Sequence, residues 1–158
     1  MPPTVETFLG YFDETRFVPA LRATTKAGAI REMVDALAGD PEIRHVEVLH
    51  DALVAREKLG STGIGKSVAI PHGRSLSVPR LKALLARSKK GIPWDSPDDA
   101  PVKLFFVVVA PPLDKTNDYL PLLGALVAGM REKKHRERIS NAKSFADAMA
   151  ALEDALRG

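Results

Sequence analysis

Residues 102–110 read Val-Lys-Leu-Phe-Phe-Val-Val-Val-Ala, with Lys103 the one polar side chain among them, and Pro111-Pro112 stops the run. A strand with one face in water alternates apolar and polar residues, whereas a continuous apolar strand must be covered on both faces. Helices lying on the two faces of a sheet supply that cover. The expected fold class is therefore α/β: a mixed β-sheet sandwiched between α-helices. A chain of 158 residues that is 45% hydrophobic can bury one such core and is short for two, so residues 1–158 are expected to form a single domain.

The chain supplies helices in the number this needs. Residues 4–11 suit a short amphipathic helix, and residues 17–21 suit an edge strand because Pro19 cannot donate a ladder hydrogen bond. Thr24 or Thr25 can cap a helix carrying Ala29, Ile30, Met33, Val34 and Leu37 at helical spacing, ended by Gly39 and Asp40-Pro41. A second helix is expected over residues 42–59 with Val46, Leu49, Leu53 and Val54 inward, delivering Arg56 to a glycine-rich stretch. Residues 68–70 and 81–86 read as short strands joined through a turn-prone segment at 73–79, and residues 91–99 read as a loop in which Trp94 suits either a partner contact or partial burial. After the central strand, Thr116 or Asn117 can cap a helix with Leu120, Leu123, Leu126 and Val127 as its stripe, Pro121 being tolerable in the first turn. A last helix starts near Ser144 and is expected to bury Phe145, Met149, Leu152 and Leu156.

Several function classes drop out. The chain has no cysteine, which removes thiol catalysis, disulfides and cysteine-based zinc sites and suits a reducing cytoplasm. No apolar run reaches the roughly 20 residues of a membrane span and the N-terminus lacks a secretion signal, so a soluble cytoplasmic protein without membrane insertion is expected. The net charge of +3 arises from 23 basic and 20 acidic side chains that are mostly interspersed. The basic cluster at 131–138 mixes in glutamates at helical spacing and no aromatic residue, which favours a solvated helix face over a nucleic-acid surface. His45, His50 and His135 show no metal-ligand spacing, and no metal or cofactor is expected.

Residues 60–67, Gly-Ser-Thr-Gly-Ile-Gly-Lys-Ser, match the P-loop pattern letter for letter. A working P-loop follows a strand and opens a helix whose N-terminal amides hold phosphate. Here residues 52–59 look helical and Val-Ala-Ile-Pro follows, so the context is inverted. Taken locally, His72 in Pro-His-Gly is open to two readings, a turn residue or a nucleophile.

The order REKLGSTGIG, a short apolar strand and then AIPHGRS resembles the active-site segment of phosphotransferase-system enzyme IIA domains of the fructose/mannitol type, including their nitrogen-regulatory relatives. GIPWDSPDDAPVKLFFVVVAPP is similar to that family's loop and central strand, and NAKSFADAMAAL to its closing helix. The resemblance implies that His72 carries a phosphoryl group received from an upstream histidine-phosphorylated carrier protein, assisted by Arg56. It implies a transferase component and transient carrier, with a regulatory target or a transporter IIB component downstream. With no membrane or partner domain in the sequence, the stand-alone regulatory branch is the nearer likeness. A second histidine of the family's HisLeu pair is replaced by Tyr119-Leu120. That departure keeps open a second reading, a protein-binding regulator that retains the fold without phosphorylation.

The chemistry expected at His72 is simple. A neutral imidazole has one free lone pair for phosphorus, and the protein must add positioning and charge neutralisation. Backbone amides from Ser61 to Gly65, including Thr62 and Gly63, with the Ser61 and Thr62 hydroxyls, are candidates to receive phosphoryl oxygens, and Gly73 is expected to let a partner chain come close. Tyr119 can orient the imidazole or pack beside it. Lys66 and Arg74 are rim charges.

Overall fold

A computed structural model describes residues 2–158. The elements are α1 (Val5–Leu9), a 3-10 turn (Glu14–Arg16), β1 (Phe17–Val18), α2 (Lys26–Leu37), α3 (Val46–Lys58), β2 (Gly63–Gly65), β3 (Val68–Ala69) and β4 (His72–Arg74). They continue with β5 (Lys82–Ile92), β6 (Val102–Ala110), α4 (Tyr119–Gly129), α5 (Lys133–Asn141) and α6 (Phe145–Arg157). The sheet runs β1-β5-β6-β3-β2 with β4 also on β6, so β6 is the hub. β5 pairs with it antiparallel, while β3 and β4 pair parallel along its other edge. The sheet is mixed and carries helices on both faces, as expected.

The central run explains the layering. Leu104, Phe106, Val108 and Ala110 point into one core with Phe8, Leu122, Leu126, Ile139 and Leu152, under α1, α4, α5 and α6. Phe105, Val107 and Val109 point into a second core with Ile30, Met33, Leu37, Leu49 and Leu53, under α2 and α3. Side-chain alternation of period two thus feeds both layers from a strand without polar alternation.

Several boundaries differ from the expectations. α3 starts at Val46 rather than 42, because residues 40–43 form a turn and His45 takes a left-handed conformation with φ 49° as its N-cap. β5 extends to Ile92, its polar stretch 88–91 being a register break in which the Gly91 amide donates to Ser88 Oγ at 3.0 Å. The segment at 73–79 is only partly turn, since residues 72–74 form β4. In α4 the buried positions are Tyr119, Leu122, Leu126 and Gly129; of the expected stripe Leu126 is buried and Leu123 packs against the core, whereas Leu120 is 67% exposed and Val127 40%. Trp94 is not at the surface; it is 1% exposed and packs against Phe105 with ring centroids 5.0 Å apart. In the last helix Leu152 is fully buried with Ala148, Ala151 and Ala155, while Phe145, Met149 and Leu156 are partly buried.

Candidate active site

His72 opens β4, beside Val108 of β6. Neighbouring α3 ends at Lys58, which brings Arg56 of its last turn over that strand end. The close approach uses Gly73, whose absent Cβ would stand 3.4 Å from Leu53 Cδ2 and 3.7 Å from the Ala52 carbonyl. Gly73 is buried and faces α3 rather than a docking partner, which corrects the expectation for it.

The half-buried imidazole is held at both nitrogens. Nδ1 lies 2.7 Å from the Ile70 carbonyl oxygen, and Nε2 lies 3.3 Å from Arg56 Nε. A carbonyl only accepts and a guanidinium only donates, so Nδ1 carries the proton and Nε2 the lone pair. Burial pushes the ring's pKa below its ordinary value; the Ile70 carbonyl works against that, and the Arg56 charge adds to it. Neutral imidazole is thus favoured. Arg56 Nη1 also donates to the Gly60 carbonyl at 2.8 Å, which anchors the guanidinium on the glycine stretch.

Tyr119, the first residue of α4, packs edge-on against His72 with centroids 6.2 Å apart and planes at 64°. Among the described residues its hydroxyl makes no hydrogen bond, so of the two expected roles the structure shows packing. Burial pushes its phenol up to about 12, against the pull of Arg74 and Arg56. Arg74 lies over the other side of this arrangement, its guanidinium carbon 4.3 Å from the Tyr119 ring centroid.

The glycine stretch is a hairpin, not a phosphate cradle opening a helix: β2 turns through Lys66 and Ser67, both at positive φ, into β3. The Ser61 and Thr62 hydroxyls and the Thr62 and Gly63 amides already have partners. Ser61 Oγ donates to the Trp94 carbonyl at 2.6 Å and accepts from the Gly63 amide at 3.1 Å. Thr62 is bonded through its amide and hydroxyl to Glu57, and its hydroxyl accepts from Trp94 Nε1 at 3.2 Å. Gly63 is required because a Cβ there would meet Ser96 Oγ at 2.1 Å. Gly65 needs its φ of 85° for the turn. These contacts fix the conformation of the stretch that follows the Gly60 carbonyl held by Arg56.

Three contributors escaped the sequence reading. Glu57 ties Thr62 to Lys26, whose Nζ is 2.7 Å from the Glu57 carboxylate and stands over the Trp94 ring. Arg74, placed among rim charges, belongs to the site through strand geometry: positions 72 and 74 share one face of β4. Among the described residues no cluster of three or more potential metal ligands occurs, and no helix is long and apolar enough to cross a membrane.

The family model described as phosphoenolpyruvate-dependent sugar phosphotransferase system, EIIA 2, matches residues 11–155. The chain is 33% identical to the PTS system fructose-specific EIIA component of Haloferax volcanii over 76% of this chain and 77% of that one. It superposes on the nitrogen regulatory protein IIA-Ntr of Neisseria meningitidis with TM-score 0.83 and 30% identity, covering 91% of this chain and 97% of that one. At 21% identity and TM-score 0.75 it shares the fold of Escherichia coli enzyme IIAMtl, solved in complex with phosphorylated enzyme IIBMtl, covering 90% of this chain and 99% of that one.

Proposed function

This chain belongs to the EIIA 2 family of the phosphoenolpyruvate-dependent sugar phosphotransferase system, and we propose that it acts there as a cytoplasmic phosphocarrier, taking a phosphoryl group on His72 from an upstream histidine-phosphorylated protein. The observation that carries the reading is the polarity of the imidazole: Nδ1–H spent on Ile70, the Nε2 lone pair turned towards Arg56.

The reaction follows from that geometry. Nε2 attacks phosphorus in line with the donor's P–N bond, which breaks and leaves its electron pair on the donor imidazole. His72 keeps its Nδ1 proton, and the Ile70 carbonyl dipole stabilises the positive charge the ring acquires. Arg56 Nε gives up the lone pair it holds and turns onto the phosphoryl oxygens, while its Gly60 anchor keeps it in reach. No metal or nucleotide takes part. The site then carries about two negative charges on the phosphoryl oxygens and one positive charge on the ring, a net gain of about one negative charge that a partner can read at an interface.

Passage to a IIB-type component is supported by the complex of the E. coli relative, and a regulatory output by the likeness to IIA-Ntr. Incubation with phosphorylated upstream carrier, followed by intact mass measurement, tests the proposal. One added phosphoryl group on the native chain and none on His72→Ala is expected. An unmodified native chain overturns it.

A further inference from the structure

Phosphoryl transfer to a half-buried ring places about two negative charges on the phosphoryl oxygens, on the side of the ring where Nε2 meets a single guanidinium. Arg16, Arg31, Arg80, Arg138 and Arg157 each hold a carboxylate. Among the described residues seven arginines hold none, and of these Arg56 and Arg74 stand at His72: Arg56 holds the Gly60 carbonyl and His72, and Arg74 one long contact of 3.3 Å to the Pro111 carbonyl and the face of Tyr119. A cation left without an anion beside a group that gains anionic charge is available to it. Arg74 is exposed, its contact to Pro111 is weak, and with Tyr119 it borders an open cleft of 430 Å³ that leaves the guanidinium room to move.

Tyr119 gives that cation its place. The phenol packs edge-on to His72 and offers its face to Arg74, so it spaces the guanidinium from the imidazole while both hang from the same face of β4. Resting on the reading of His72 as phosphoryl acceptor, we propose that Arg74, poised on the Tyr119 ring, is the second cation of the site and closes onto the phosphoryl oxygens opposite Arg56 during transfer.

Single-turnover transfer from a phosphorylated upstream carrier, compared for native chain, Arg74→Gln and Arg74→Lys, tests the assignment, with thermal melts confirming that these exposed substitutions leave the fold intact. Arg74→Gln is expected to slow phosphorylation of His72 roughly 10- to 100-fold, the range of one charge-assisted hydrogen bond. Arg74→Lys is expected to recover a good part of the loss. Equal rates for native and Arg74→Gln, or a lysine variant no faster than the glutamine one, overturn the role of Arg74 while leaving His72 in place. A native chain that takes no phosphoryl group overturns both.

Discussion

A ring held at Nδ1 by a carbonyl and at Nε2 by a guanidinium titrates late. Burial lowers the His72 pKa from its ordinary 6.5, so protonation is deferred to pH below 6.5 and the nucleophile stays neutral across the physiological range. Long-range proton–nitrogen NMR should show a protonated Nδ1, a bare Nε2 and a midpoint below 6.5; a midpoint above it would mean that charge, not burial, governs the ring. At Gly63 the constraint is steric. Gly63→Ala drives a methyl group into Ser96, whose Oγ is buried without a partner, and should cost about 1–3 kcal/mol in denaturant titrations. Ser96→Ala on that background removes the 2.1 Å clash and should return part of it. At this scale the approach of Arg56 to His72 was legible because a distinctive motif carries both. Glu57, Lys26 and Arg74 were not, since their roles are contacts between residues distant in sequence or projected from a strand that had been read as a turn.

The elements show where local pattern suffices. The central strand was readable to its ends because Pro111 closes it and its composition admits no alternative. Ser144 and Thr25 cap α6 and α2 through side-chain bonds to Asp147 and Gly28 amides at 3.0 and 3.1 Å, as their sequences indicate. Ser144→Ala should lower stability by about 1 kcal/mol. β4 was missed because three residues containing a glycine carry no alternation, and only pairing with β6 makes them a strand. α4 misled for a different reason. Nearly every residue from Tyr119 to Gly129 is apolar, so no periodicity distinguishes its faces, and the sheet decides. Leu126→Ala should cost about 2–5 kcal/mol and Leu120→Ala within about 0.5 kcal/mol; equal losses would contradict the observed phase.

Across the whole molecule, one buried charge network joins the 3-10 turn, the end of α2 and β5. Arg16 Nη1 lies 2.9 Å and Lys82 Nζ 2.5 Å from the same Asp40 oxygen. Burial works to raise the Asp40 carboxyl, yet Lys82, the Glu42 amide and Arg16 outweigh it and hold the group below its ordinary 3.8. A depressed carboxyl contributes stability that is present above 3.8 and lost as pH falls through the lower folded value, so acid unfolding should be shifted to higher pH in Asp40→Asn. That variant should also lose about 3–5 kcal/mol at neutral pH, because buried Arg16 keeps no anion and Lys82 keeps only Glu42. Around this frame, helices on both faces fix β6, β6 fixes β4, and β4 presents the imidazole with its lone pair towards Arg56. Nitrogen-15 NMR of the phosphorylated chain tests that orientation most directly: phosphorus bonded to Nε2 of His72 with Nδ1 still protonated is the predicted result, and phosphorus on Nδ1 or on any other residue would contradict it.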